Sequence, residues 1–291
     1  MPTAQLDDRA VVRVAGPDAH TLLQNVVTLD MEGVDQHGSG YGALLTPQGK
    51  IMWDFVLHKQ PDGYAADVRA SEVEAFAKRL TLYRLRAKVE IAAAPELAVF
   101  VAWDDAPDDT TPNPSPQGGG GKALDPRLAD LGSRWVAASG TVTTNASAAD
   151  WHRHRIAYAI PEGGIDFLFG DTFPFDAAMD SLRGVAFEKG CYIGQEVVSR
   201  MRHRGTARRR IVAVHADRPL PGPGADMVAG ERPLGRLGSS ADGHGIALVR
   251  LDRLRAALDE HLPIRAGAEE VTVALPAWAT YGWPATVGAE D

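Results

Sequence analysis

The eight residues Lys189-Gly190-Cys191-Tyr192-Ile193-Gly194-Gln195-Glu196 are poorly suited to a core strand or a regular helix, so any fold of this chain must carry a loop there. Glycines let the backbone turn or approach another segment closely, and the cation, phenol, amide and carboxylate around them need polar partners. The run also holds the single cysteine of the chain. A thiol beside Lys189, with more cations downstream, reads as a partly ionised nucleophile or a soft metal ligand. The competing reading is a buried, inert cysteine in a tight loop.

A chain of 291 residues has room for two domains, or for one large domain with an appended module. One cysteine excludes an internal disulfide framework and fits a reducing compartment. No apolar stretch approaches a membrane span, and the acidic start Met1-Pro2-Thr3-Ala4-Gln5-Leu6-Asp7-Asp8 lacks the pattern of a signal peptide. The expectation is a cytoplasmic protein with no membrane partner. A net charge of −8 argues against a protein that coats nucleic acid. Against that background, Arg200 to Arg210 holds six arginines and no acid. This is either an anion-seeking patch or a charge-guarded strand edge.

Periodicity predicts a strand over Arg9 to Ala15, with Val12 and Val14 on one face, and a helix opened by Gly16-Pro17-Asp18 with proline in its first turn. Gly40 to Leu45 and Ile51 to His58 read as strands paired across the turn Thr46-Pro47-Gln48-Gly49. A helix is expected from Ser71, capped through the S-x-x-E pattern with Glu74. An alternating strand is then expected through Leu85, Ala87, Val89 and Ile91. Residues 107–122 form a proline- and glycine-rich insert expected to be a flexible loop, and Asp176 to Leu182 reads as a short helix. Ile211 to His215, Gly245 to Arg250 and Val271 to Leu275 are short strand candidates among proline- and glycine-rich turns, the texture of a small barrel or sandwich. The division is expected near residue 208, with residues 1–208 as one region of two subdomains and 209–291 as the C-terminal module. Gly121-Lys122 lacks the residues of a phosphate loop, and Gly38 to Gly42 lacks the strand-to-helix setting of a dinucleotide site. His152 and His154 would share a strand face with no third ligand nearby, so no metal site is expected.

The stretch Phe173-Pro174-Phe175-Asp176 through Gly184-Val185 to the K-G-C-Y-x-G-Q-E run and Arg204-Gly205 resembles the YgfZ family of folate-binding proteins. That family is related to the T-protein, the aminomethyltransferase of the glycine cleavage system. Leu22-Leu23-Gln24-Asn25, Leu45-Thr46-Pro47-Gln48-Gly49-Lys50 and Asp125-Pro126-Arg127 fit as well. The resemblance covers most of the chain to about residue 210. It implies an α+β fold: a T-protein-like ring of subdomains, with mixed sheets and helices, around a hole that takes a folate, plus a small C-terminal β-barrel. It further implies an accessory role in assembling or maintaining iron–sulfur clusters of client enzymes, including radical enzymes that thiolate tRNA. The expected partners are folate and iron–sulfur client or assembly proteins, with tRNA only indirectly involved.

The same resemblance places the working chemistry at Cys191, with Lys189 lowering the thiol pKa and Tyr192, Gln195 and Glu196 shaping the loop. A transient iron–sulfur cluster would have to be shared, since one cysteine cannot complete a cluster. Tetrahydrofolate, or another folate, would be held by Trp151, Arg155, Asp54, Arg9, Arg202 and Arg204, using aromatic faces for the pterin and cations for its carboxylates. The alternative is a tetrahydrofolate-dependent one-carbon transferase. Two departures count against it: Trp53-Asp54 stands where T-proteins carry two acids, and Arg155-Ile156-Ala157-Tyr158-Ala159 has alanine where they tend to carry a pterin-gripping glutamate. Arg9 stands where some members have a second tryptophan.

Overall fold

The computed structural model describes residues 1–103, 122–205 and 207–284. The expected flexible insert falls almost wholly outside them. The described chain divides into two compact units, Met1–Trp151 with Leu182–Gln195, and His152–Ser181 with Glu196–Asp291. The chain therefore passes between the units at 151, 181 and 195, and residues 152–181 group with the C-terminal part.

The first unit contains two antiparallel sheets. Strands β1 (Thr3–Leu6), β2 (Arg9–Ala15), β3 (Ser39–Leu45), β4 (Ile51–Gln60), β5 (Gly63–Arg69), β6 (Glu90–Ala93), β7 (Leu97–Ala102), β8 (Ala123–Leu124) and β9 (Ser133–Ala138) follow in chain order. Their sheets run β3-β4-β5-β2-β6 and β1-β7-β9-β8. Helices α1 (Ala19–Val26), α2 (Met31–His37) and α3 (Val73–Arg84) accompany the first sheet, and α4 (Ala148–Ala157) carries the chain out of the unit. The alternation in β2 works as expected, with Val12 and Val14 both fully buried. The β3–β4 hairpin also forms where its turn residues place it.

Between the two sheets lies a charged cluster instead of a purely apolar core. Asp67 of β5 is fully buried and accepts hydrogen bonds from Arg9 Nε of β2 at 2.6 Å and Arg134 Nε of β9 at 2.6 Å. His58 Nε2 lies 3.9 Å from the same carboxylate. Arg127 and Asp125 form a second buried pair at 2.8 Å, with Arg134 Nη1 3.9 Å from Asp125. Buried ion pairs gain little over apolar packing, but removing one partner strands the other's charge.

Several local expectations are corrected. Pro17 lies outside α1, which begins at Ala19. The Asp18 carboxylate accepts the Lys88 backbone N–H and does not cap the helix. Ser71 caps nothing: residues Ala70–Glu72 form a 3-10 turn, and α3 starts at Val73 without a side-chain cap. The expected strand through Leu85 begins only at Glu90. Helix α3 runs on to Arg84, Leu85 turns left-handed at φ 48°, and Arg84 Nη1 donates to the Val89 carbonyl at 3.3 Å, closing a turn over the intervening residues.

In the second unit, helices α5 (Gln195–Arg204) and α6 (Leu251–Asp259) join strands β10 (Arg209–His215), β11 (Asp226–Ala229), β12 (Arg232–Ala241), β13 (His244–Arg250), β14 (Ile264–Ala266), β15 (Glu269–Glu270) and β16 (Thr272–Ala274). The sheet order is β15-β14-β11-β12-β13-β10-β16. Its two edge strands are separated in sequence by Val271 alone, whose N–H bonds the Ile264 carbonyl at 2.9 Å. The sheet is thus curled into a nearly closed barrel, filled by Val212, Val214, Met227, Leu237, Val249 and Leu254. Closure removes the exposed edges that a flat sheet of this size would carry.

The segment Asp176 to Leu182 is a series of turns, not the expected helix. Ala178 and Arg183 have φ of 57° and 58°, which breaks helical continuity. The acids at either end face cations of β10, Asp176 with Arg209 at 2.8 Å and Asp180 with Arg210 at 2.9 Å. His152 and His154 lie on α4, not on a strand.

Candidate functional site

The cysteine loop is built on residues 27–29, which lie between α1 and α2 and are hydrogen-bonded to β3. Thr28 donates its N–H to the Ala43 carbonyl at 3.0 Å and accepts the Ala43 N–H on Oγ1 at 2.8 Å. The same hydroxyl donates to the Gly184 carbonyl at 2.6 Å, and the Thr28 carbonyl accepts the Ala186 N–H at 2.8 Å. Lys189 then reaches back to the same strip, donating from Nζ to the carbonyls of Val27 at 2.8 Å and Leu29 at 2.7 Å. At the far end Gly194 sits against the β3–β4 turn, close to the Thr46 carbonyl and Gly49. Tyr192 is buried, and Lys189 Nζ lies 5.4 Å from its ring centroid. Cys191, between these anchors, is exposed. A loop fastened at both ends presents its thiol without first having to order itself.

The geometry gives Lys189 a different part from the one expected. Two of its donors are directed at main-chain carbonyls, which makes it the loop's tether. Burial, partly opposed by Asp30, lowers its pKa from the ordinary 10.5 to about 8. Burial likewise pushes the Tyr192 phenol up to about 12. Because the folded lysine holds its proton less tightly than the unfolded one, the folded state binds fewer protons between about pH 8 and 10.5. This group's contribution to stability therefore rises with pH across that window and is unfavourable below it. Competitive acetylation with peptide mapping should find one lysine amine titrating near pH 8 in the native protein and missing from Lys189→Arg.

Gln195 and Glu196 open α5, and Glu196 pairs with Arg200 at 2.5 Å, four residues on. The arginine run is less uniform than its composition suggests. Arg209 and Arg210 are turned onto Asp171, Asp176 and Asp180. Arg202 and Arg204 on α5, and Arg208 beyond it, are exposed.

The residues expected to hold folate do not fit that group as a set. Trp151 is fully buried, edge-on to Trp103 at 5.6 Å between ring centroids. Arg155 is 1% exposed and donates to His152 Nδ1, the Ile160 carbonyl, Asp166 and Ser239 Oγ. Arg9 serves Asp67, and the buried Asp54 accepts the Tyr41 hydroxyl at 3.1 Å. Four of the six are therefore engaged inside the protein, while Arg202 and Arg204 lie on its surface. Sequence reasoning missed Asp67, which holds both Arg9 and Arg134, and Asp166, which holds Arg155. Single charges inside apolar strands and loops carry no spacing signal that pairs them.

Residues 208–281 match the family described as CAF17, C-terminal beta-barrel domain, which covers the barrel. The fold as a whole is similar to that of the glycine cleavage system aminomethyltransferase T from Bartonella henselae, with a TM-score of 0.66 over 95% of this chain and 85% of that one. Sequence identity there is 13%, so the likeness establishes the fold: α+β and T-protein-like, with a C-terminal barrel. The chain is 31% identical to the human iron–sulfur cluster assembly factor IBA57, mitochondrial, over 96% of this chain and 85% of that one. It is 29% identical to the mouse protein of the same name over the same shares. These relatives are named mitochondrial, which overturns the cytoplasmic expectation drawn from the single cysteine and the missing signal-peptide pattern. On identity and coverage together, the chain belongs to the IBA57 family of iron–sulfur cluster assembly factors.

Proposed function

We propose that this protein is an accessory factor that assembles or maintains iron–sulfur clusters in client enzymes, with Cys191 as its working group. The observation that carries the reading is a lone exposed thiol on a loop tethered to the protein at both ends. Such a thiol, on losing its proton to solvent, can ligate one iron of a cluster that is the cargo of the reaction. The remaining ligands must come from the client, an assembly protein, a second copy or a small thiol, because the chain has no other cysteine. Radical enzymes that thiolate tRNA are among the clients this reading includes. If folate takes part, its carboxylates would meet exposed cations such as Arg204, since Arg9 and Arg155 are buried against acids.

The test is to delete the gene and assay [4Fe–4S] enzymes such as aconitase and a tRNA thiolase. Activity should fall and return with the wild-type gene. Unchanged activity would refute the cluster role and favour the one-carbon transferase, to be assayed with tetrahydrofolate.

A further inference from the structure

The end of α3 and the turn after it, residues 78–88, contain Lys78, Arg79, Arg84, Arg86 and Lys88 and no acid. In a protein of net charge −8 this is a concentrated reversal of sign. None of these five side chains makes an ion pair among the described residues. Two leucines stand among them in the open, Leu82 at 61% and Leu85 at 87% exposure. The buried side of α3 is supplied separately by Phe76, Ala77 and Leu80, with Phe76 edge-on to Trp53 and Phe55. Leu85 also adopts φ 48° and ψ −107°, a conformation costly for a residue with a Cβ, and it gains no burial in return. A strained, exposed leucine flanked in sequence by cations that make no ion pair among the described residues has no explanation in the stability of this unit. Of these residues Lys88 also lines an open groove of about 720 Å³, with Glu90, Lys59, Asp62 and Tyr64.

We propose that residues 78–88 form a docking surface for an acidic segment of a partner protein that carries apolar side chains between its carboxylates. Charge complementarity selects the acid, and Leu82 and Leu85 select the apolar side chains, which a purely electrostatic contact would not need. Two leucines are too few for a lipid surface, where an interfacial helix inserts a full apolar face, and here that face is turned inward. RNA would call for exposed stacking rings in place of leucines. The surface is inferred apart from the thiol and does not depend on its role.

The test uses the full chain as bait for displayed random 12-residue peptides, with binding of the winners measured by fluorescence anisotropy. Enriched peptides should combine Asp or Glu with Leu, Ile or Phe. Their Kd should weaken at least tenfold with Arg79→Glu/Arg86→Glu and, separately, with Leu82→Ser/Leu85→Ser. All four positions are exposed, and both variants should keep the wild-type urea midpoint. Cys191→Ser should bind the peptides as wild type does, which separates this surface from the thiol chemistry. Winners without acidic excess, or wild-type affinity in either variant, would overturn the proposal. So would binding of phosphatidylcholine–phosphatidylglycerol vesicles or tRNA through these residues in place of peptides.

Discussion

Asp67→Ala should lower the stability of the protein by about 3–5 kcal/mol, the cost typical of breaking a buried charge pair from one side. Asp67 is fully buried and holds Arg9 and Arg134, each through Nε at 2.6 Å, with the Arg9 Nη2 also donating to its main-chain carbonyl at 2.7 Å. Without the carboxylate, two buried guanidinium groups from strands of different sheets would lose their shared counter-charge. Urea unfolding followed by tryptophan fluorescence measures the loss; a change under 1 kcal/mol would show that the cluster does not hold the sheets. Burial alone would raise the pKa of Asp67, but the charges of Arg134 and Arg9 outweigh it and hold it well below the ordinary range. Its contribution is therefore present above the unfolded pKa and lost as pH falls through the folded one. Acid unfolding of wild type should accordingly be steeper than that of Asp67→Asn, whose side chain does not ionise.

Gly194→Val should remove most support of client enzymes while leaving Cys191 in place, at least a tenfold fall in complementing activity. Gly194 has φ +80°, and a Cβ added there would come within 2.6 Å of the Thr46 carbonyl and 3.0 Å of the Gly49 Cα. These are main-chain atoms of a tight turn, closed by the Thr46 N–H to the Lys50 carbonyl and the Gly49 N–H to the Thr46 carbonyl, both at 2.8 Å. The turn cannot yield as a flexible side chain would, so the loop must lift. Reaction of the thiol with an aromatic disulfide should then change rate, while the urea midpoint reports on the rest of the fold. Full complementation by Gly194→Val would mean that the seating of the loop is unimportant.

What the sequence made legible follows from how local each signal is. Strand β2 and the β3–β4 hairpin are written in alternation and turn residues, so periodicity finds them. Leu85 to Ile91 alternates just as convincingly, yet Leu85 turns left-handed and the strand begins only at Glu90. Asp176 to Leu182 has helical spacing, but its acids are committed to Arg209 and Arg210 of a later strand. The cysteine loop was legible as a motif. Its tether was not, because Lys189 is held by the main-chain carbonyls of Val27 and Leu29, which leave no residue signature. The charged cluster was hidden for a related reason: Asp67 lies 58 residues from Arg9 and 67 from Arg134, and nothing in either neighbourhood announces the pairing.

The central claim rests on one sulfur atom, and one exchange tests it. In a strain lacking the gene, Cys191→Ser is to be compared with wild type for restoring aconitase and tRNA-thiolase activity at equal protein level. Serine keeps the size and exposure of the side chain and removes the soft iron ligand. The account expects wild type to restore activity and Cys191→Ser to restore less than a tenth of it. Equal restoration by Cys191→Ser would contradict the account and make the loop purely architectural.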